Sequence, residues 1–209
     1  TPVYIDCKKE NKFKFTAEDL KAAITPKTKM LIFNSPSNPT GAVYSEEEVR
    51  AIAKVCEEAE IFVLADEIYE KLCYNGVKAF SIAKCSDKMK ELTITINGVS
   101  KTYAMTGWRL GYIAAPLDVA KAVSSMQSHT TSNACSITQY ASTTALTDAE
   151  GEKFIEKMQK VFDERRKLMI KELADVKDIV CIEPKGAFYV FVNVSALYGK
   201  KFQGEVVDG

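Results

Sequence analysis

The chain has 209 residues, is 46% hydrophobic and carries 28 basic and 28 acidic side chains, so its net charge is zero when histidine is neutral. This composition allows a sizeable core and excludes a disordered chain. Balanced charge argues against nucleic acid or an anionic membrane surface as a partner, and no apolar run reaches the roughly 20 residues of a membrane span. We therefore expect small-molecule partners.

The cysteine and histidine content restricts the chemistry further. Six cysteines lie far apart without a CxxC pair, which argues against a zinc cluster and a disulfide framework, so we expect reduced and mostly buried thiols. No signal-peptide pattern is present at the start, which favours a cytoplasmic protein. The only histidine, His129, is expected at an exposed helix end, and no metal site is predicted. Lysine, tyrosine or carboxylate groups are left for proton transfer.

The first half of the chain alternates short apolar runs with helical patterns. Strand-like runs rich in β-branched and aromatic residues are "VYID" (3–6), "KMLIF" (29–33), "IFVLA" (61–65) and "LTITI" (92–96). A short helix with a Thr16/Asp19 cap precedes the second run, and a helix with a Ser45/Glu48 capping box follows it. This order predicts a βαβ unit with buried parallel strands. The run 110–116 follows only a loop and is expected to be antiparallel.

The last third of the chain has a different character. Residues 148–174 read as one long charged amphipathic helix, and "GAFYVFVNV" (186–194) alternates like a half-buried strand. We place the boundary between two domains at this helix, with residues 1–150 in the first and 151–209 in the second. The chain begins and ends without an obvious start or stop of a fold, so we expect it to be part of a longer protein.

Polar side chains follow three consecutive predicted parallel strands. Asn34 and Asn38 lie in the turn-rich "NSPSNPTG", Asp66 ends the second strand, and Ser100 and Lys101 come after the third. Because ligands of open α/β sheets bind beyond the carboxyl ends of parallel strands, these groups are expected to face one crevice. Each feature alone is typical of a turn, a helix cap or a solvated surface. Their combination at three consecutive strand ends indicates a site.

These residue types fit one kind of ligand. A sheltered lysine amine forms a Schiff base with an aldehyde, and a buried carboxylate holds a protonated ring nitrogen by a charge-assisted hydrogen bond. Arg109 follows Lys101 by eight residues, and its planar guanidinium suits a phosphate. An aldehyde, a ring nitrogen and a phosphate together describe pyridoxal 5'-phosphate.

The motifs "NSPSNPTG", "LADEIYEKL" and "SKTYAMTGWRLGY", in this order, resemble those of the class I and II aminotransferases, the aspartate aminotransferase family of fold-type I pyridoxal phosphate enzymes. The resemblance implies an α/β fold with a mainly parallel sheet flanked by helices, followed by the start of a smaller α+β domain. It also implies that N- and C-terminal parts of the enzyme are missing here. The expected activity is amino transfer between an L-amino acid, such as aspartate, and a 2-oxo acid, in a homodimer.

The resemblance assigns a role to each motif residue. Lys101 is expected to be the Schiff-base lysine and the acid/base for the α-carbon, and Asp66 to keep the ring nitrogen protonated. Tyr69 and Asn38 are expected to hydrogen-bond the phenolic oxygen of the cofactor. Arg109 and Ser100 are the expected phosphate ligands, although Gly98 stands where some members carry a further serine. The resemblance also implies a cis peptide bond before Pro39.

Parts of the family's pocket have no counterpart in this sequence. By the resemblance, the aromatic residue that stacks on the ring, part of the phosphate loop and a tyrosine from the partner subunit lie upstream, and the arginine for the substrate carboxylate lies downstream. Two other functions stay open at this stage. One is a carbon-sulfur lyase of the same fold, and the other is a non-catalytic aminotransferase-like sensor domain. A nicotinamide dehydrogenase is disfavoured because no GxGxxG follows a strand.

Overall fold

The computed structural model describes residues 1–208, which form seven α-helices, eight strands and four short 3-10 turns. The helices are α1 (Ala17–Ala23), α2 (Glu46–Ala59), α3 (Asp87–Leu92), α4 (Val99–Thr102), α5 (Leu117–Thr130), α6 (Ser136–Thr147) and α7 (Ala149–Ala174). The strands are β1 (Met30–Asn34), β2 (Phe62–Asp66), β3 (Thr93–Gly98), β4 (Gly111–Ala114), β5 (Val180–Cys181), β6 (Val192–Asn193), β7 (Lys201–Phe202) and β8 (Glu205–Val206).

Strands β1 to β4 form one mixed sheet in the order β1-β2-β3-β4. The pairs β1–β2 and β2–β3 are parallel, and β3–β4 is antiparallel, as the sequence predicted. In this register Asn34 lies beside Asp66 and Gly98 lies beside Gly111. The carboxyl ends of the three parallel strands therefore lie at one edge of the sheet, and β4 begins at that same edge.

The core forms where α2 packs on the sheet. Both capping boxes predicted from the sequence are present, at Thr16/Asp19 for α1 and at Ser45/Glu48 for α2. Helix α2 buries one apolar face, which includes Ile52 at 1% exposure, in the same cluster as Val63 of β2. Burial of a side chain of this size contributes about 1.5–3 kcal/mol, so this face is what holds the helix on the sheet.

Two predicted strands were wrong. Residues 3–6 are not a strand: Val3 and Tyr4 are 73% and 86% exposed, and no strand within residues 1–208 lies beside them to pair with their backbone. In the segment 186–194 only β6 is a strand, paired antiparallel with β5. Ala187 has a left-handed backbone with φ of 56°, which interrupts an extended chain, and its N–H donates to the carbonyl of Leu72 instead.

The cysteines and the histidine were predicted only in part. All six cysteines are free thiols, as expected, but only Cys56 and Cys73 are buried, so the expectation of mostly buried thiols was wrong. His129 is exposed in the last turn of α5, as predicted. Within residues 1–208 no cluster of metal-ligating side chains occurs, and no helix is both long and apolar enough to cross a membrane.

A second, smaller cluster of buried apolar side chains packs α7 against the loops beyond the sheet. Arg166 of α7 makes polar contacts with the same loops. The guanidinium of Arg166, whose side chain is only 4% exposed, forms ion pairs with Asp163 at 2.7 Å and with Glu183 at 2.6 Å. It also donates to the side-chain oxygen of Asn75 and to the carbonyl of Pro184. The hydrogen bond from Arg166 holds the pKa of Glu183 below its usual value. The buried guanidinium of Arg166 thus connects α7 to the segment at Asn75 and to the segment at Glu183 and Pro184.

Replacing Arg166 by Met should lower the free energy of unfolding by about 2–3 kcal/mol, because Asp163 and Glu183 lose their shared cation. The matched control is Arg165→Met, an exposed neighbour on the same helix, for which we expect a change below about 0.5 kcal/mol. Urea denaturation of the chain and both variants measures the difference. Equal stabilities of the two variants would contradict a structural role for the ion pairs and hydrogen bonds of Arg166.

The same comparison has a pH dependence of known sign. Because Arg166 lowers the pKa of Glu183 in the folded chain, its stabilisation is present above the unfolded carboxyl pKa of about 4.3 and is lost as the pH falls below it. The stability difference between the unsubstituted chain and Arg166→Met should therefore shrink as the pH is lowered from 6 towards about 3.

Candidate active site

The polar residues predicted at the strand ends lie at the carboxyl edge of the sheet. Asp66 is the last residue of β2, and Lys101 lies in α4, which begins directly after β3. Asn34 ends β1, and Arg109 lies two residues before β4. The parallel register of β1, β2 and β3 brings these segments to one place, since each chain leaves its strand at the same edge.

Hydrogen bonds fasten the loop after β1 to the end of β2. The side-chain amide of Asn34 donates to the carbonyl of Asp66 at 3.1 Å, and the Asn34 side-chain oxygen accepts from the backbone N–H of Asn38 at 2.9 Å. The Asn38–Pro39 bond is cis, as expected, and so is Ser35–Pro36. The side chain of Asn38 itself is exposed, so only its backbone is fixed here.

Asp66 keeps one carboxylate oxygen for another donor. Its Oδ1 accepts the backbone N–H of Ile68 at 3.1 Å, and within residues 1–208 no hydrogen bond or ion pair reaches Oδ2. One bond orients the carboxylate and the second oxygen stays available. This is the arrangement that a protonated ring nitrogen requires.

Lys101 has aromatic neighbours instead of an ionic partner. Its Nζ lies 5.9 Å from the ring centroid of Tyr69 and 5.3 Å from that of Phe188. No carboxylate of residues 1–208 lies within ion-pair distance of this amine. Both distances lie within the range of cation–π attraction, which is weaker than an ion pair. The amine can therefore meet an aldehyde.

Tyr69 lies in a turn after β2. Glu70 N–H donates to the carbonyl of Glu67, and Leu72 N–H donates to that of Tyr69, so the residues form short turns. The Tyr69 side chain is buried, and its hydroxyl lies 2.7 Å from that of Tyr189. Burial, with a contribution from the Tyr189 hydrogen bond, raises the pKa of Tyr69. The hydroxyl thus keeps its proton at neutral pH.

Phe188 and Tyr189 are neighbours of Lys101 and Tyr69 that the sequence analysis missed. Their rings lie 5.4 Å and 5.8 Å from the ring of Tyr69, each at close to a right angle. The alternation of "GAFYVFVNV" favoured a strand and hid them. The sequence did contain one signal, the small pair Gly186–Ala187 directly before two aromatic residues. In the structure, a Cβ on Gly186 would come within 2.7 Å of side-chain atoms of Pro36 and Val43, so a small residue is needed there.

Arg109 and Ser100 both lie in the segment that connects β3 to β4, with Ser100 in α4. The guanidinium of Arg109 donates to the carbonyl of Thr106 at 2.9 Å, and the Thr106 hydroxyl donates to the carbonyl of Ser100 at 3.0 Å. Arg109 is exposed, and within residues 1–208 its other four side-chain N–H groups have no acceptor, so they are left for an anion. A cavity of about 460 Å³ lies beside it and is lined by Ala104, Gly107, Trp108, Arg109, Cys135 and Thr138. Ser100 takes part in this hydrogen bonding through its backbone carbonyl.

The chain is similar to known aminotransferases. It is 46% identical over 192 residues to the aspartate aminotransferase of Geobacillus stearothermophilus, covering 92% of this chain and 48% of that protein. It is 42% identical over 205 residues to a probable aspartate/prephenate aminotransferase of Aquifex aeolicus, covering 98% of this chain and 52% of that protein. The chain thus spans about half the length of the curated relatives it matches. Their names do not favour the lyase or the sensor alternative.

The fold is similar as well. The crystal structure of the aspartate aminotransferase from Rhizobium meliloti superimposes with a TM-score of 0.93 and 39% identity, over 98% of this chain and 51% of that one. The family model "Aminotransferase class I and II" matches residues 1–208. The mixed, mainly parallel sheet, the polar strand ends and these matches agree, and the chain belongs to the class I and II aminotransferase family.

Proposed function

We propose that this chain is the middle part of a longer pyridoxal phosphate-dependent aminotransferase that moves an amino group between an L-amino acid, with aspartate as the candidate, and a 2-oxo acid. The observation that carries the proposal is the Lys101 amine, which has no ionic partner within residues 1–208 and lies near the rings of Tyr69 and Phe188 at the strand edge where Asp66 ends β2. The aminotransferase names of the relatives support the reaction class, and their aspartate names support the substrate.

Lys101 and Asp66 are the proposed catalytic pair. When bound, pyridoxal phosphate supplies an aldehyde that condenses with amines and a ring that takes up an electron pair. Lys101 would hold this group and, once free, move a proton to and from the substrate α-carbon. The unused oxygen of Asp66 would hold the proton on the ring nitrogen by a charge-assisted hydrogen bond.

The remaining residues would bind and orient the cofactor. Tyr69, whose raised pKa keeps it protonated, would donate to the phenolic oxygen, and Asn38 would share this task if its exposed amide turns inward. Arg109 would bind the phosphate with its free N–H groups, and Ser100 is the weaker second ligand. Residues 1–150 would belong to the large cofactor-binding domain. Residues 151–209 would be the linking helix and the start of the small domain, with Gly209 outside the described residues.

Assembly and location extend the same proposal. A homodimer would supply the pocket residues that the family takes from the partner subunit. The six free thiols fit a reducing compartment, so a cytoplasmic location is proposed.

Lys101→Ala in the longer protein should abolish covalent attachment of the cofactor, because Lys101 is the amine proposed to form the Schiff base. Borohydride reduction followed by peptide mapping measures the attachment. The matched control, Lys90→Ala, changes an exposed lysine of α3 and should leave the adduct in place. A reduced adduct on any lysine other than Lys101 in the unsubstituted protein would contradict the assignment.

Asp66→Asn should leave the cofactor bound but slow removal of the substrate α-proton by about 10²-fold or more, because a neutral amide cannot keep the ring nitrogen protonated. The amide oxygen can still accept from Ile68, so the turn should survive. Exchange of the α-proton with deuterated water measures this step, and Asp118→Asn on exposed α5 is the control. Exchange at the unsubstituted rate would count against the role of Asp66.

The 209-residue chain alone should not transaminate. By the family resemblance, the ring-stacking aromatic residue, part of the phosphate loop and the carboxylate-binding arginine have no counterpart in it, so too few contacts orient a substrate for proton transfer. The measurement is a stopped assay with pyridoxal phosphate and several amino acid and oxo acid pairs, beside the longer protein at equal concentration. Comparable turnover by the two proteins would show that the chain contains every residue that transamination needs, which would contradict this prediction.

A further inference from the structure

Tyr189 is the one hydroxyl-bearing side chain of residues 1–208 that is hydrogen-bonded to Tyr69 through its side chain. The two hydroxyl oxygens are 2.7 Å apart, and the rings pack edge to face at 5.8 Å. Tyr69 also lies against Lys101, whose Nζ is 5.9 Å from its ring. Tyr189 therefore reaches the site through Tyr69.

The backbone before Tyr189 is fixed by partners far away in the sequence. Lys185 and Gly186 both donate their N–H groups to the carbonyl of Gly41, and Ala187 donates to the carbonyl of Leu72. The Tyr74 hydroxyl donates to the carbonyl of Ala187. Just upstream, Arg166 donates hydrogen bonds to the carboxylate of Glu183 and to the carbonyl of Pro184. The position of the Tyr189 hydroxyl is thus built into the fold.

We propose that Tyr189 is a positioning residue that donates its hydroxyl hydrogen bond to the oxygen of Tyr69, so that the proton of Tyr69 is directed to the phenolic oxygen of the cofactor. This inference rests on the proposed function. A tyrosine hydroxyl has one proton and can accept as well. If Tyr69 donated to Tyr189, it would have no proton for the phenolic oxygen. Once Tyr69 donates to the cofactor, only Tyr189 can supply the proton shared by the pair.

The surroundings of Tyr69 keep its hydroxyl protonated. The titratable groups that face it are Tyr189, Asp66 and Lys101. Burial raises the pKa of Tyr69, so Tyr69 enters the site with a proton that it can donate. Accepting a hydrogen bond polarises an O–H group and strengthens its own donation. Tyr189 therefore makes Tyr69 a better donor without touching the cofactor itself.

The experiment is a pH titration of the visible absorbance of the bound cofactor in the longer protein. Donation to the phenolic oxygen favours its ionised form and lowers the titration midpoint. Tyr69→Phe should therefore raise the midpoint, and Tyr189→Phe should raise it by less, by about 0.3–0.7 pH unit. In Tyr69→Phe/Tyr189→Phe the midpoint should equal that of Tyr69→Phe alone, because Tyr189 acts through Tyr69. Phenylalanine keeps the ring contacts of Tyr189.

Tyr198→Phe, which removes a hydroxyl from a residue 51% exposed, is the control and should leave the midpoint unchanged. Borohydride trapping on Lys101 in the unsubstituted protein tests the proposed function separately from the role of Tyr189. A trapped cofactor with an unshifted midpoint in Tyr189→Phe, or with the same shift when Tyr69 is already Phe, would overturn the positioning role alone. Absence of any adduct on Lys101 in the unsubstituted protein would overturn the proposed function and this inference together.

Discussion

Parallel pairing of β1, β2 and β3 is the interaction on which the candidate site depends. The register places Asn34 beside Asp66 and Asp66 beside Ile96, so three loops start at one edge. Strand β4 begins at the same edge, where Gly111 pairs with Gly98. The approach is close: a Cβ on Gly98 would lie 2.9 Å from the carbonyl oxygen of Leu110. A residue without a side chain is therefore needed where β3 turns into α4, three residues before Lys101.

The elements that carry local signals could be predicted from the sequence. Strands β1 to β4 came from short apolar runs, and helices α1 and α2 from capping boxes that are formed within three residues of chain. The order of polar residues after the strands then placed Asp66 and Lys101 at one edge, since parallel strands share their carboxyl end. These predictions succeed because each depends on near neighbours or on a single topological rule.

The segment 183–189 could not be predicted in this way. It overlaps the alternating pattern of residues 186–194, which favours a strand, but its backbone hydrogen bonds go to Gly41 and Leu72, more than 100 residues away, and Ala187 is left-handed. Only tertiary partners decide this conformation. For the same reason the contacts of Phe188 and Tyr189 with Lys101 and Tyr69 had no counterpart in the sequence analysis. The part of the site that the sequence missed is the part made by the longest-range contacts.

The segment 183–189 keeps its negative charge away from the Lys101 amine. Its carboxylate, Glu183, is neutralised by Arg166 on α7, whereas its aromatic end, Phe188 and Tyr189, faces the Lys101 side of the sheet. A carboxylate beside the amine would hold it in an ion pair, while an aromatic face attracts it by only about 0.5–2 kcal/mol. Such weak attraction keeps Lys101 in place and leaves its nitrogen free to react. The long-range packing that the sequence does not reveal thus fits the chemistry that its motifs imply.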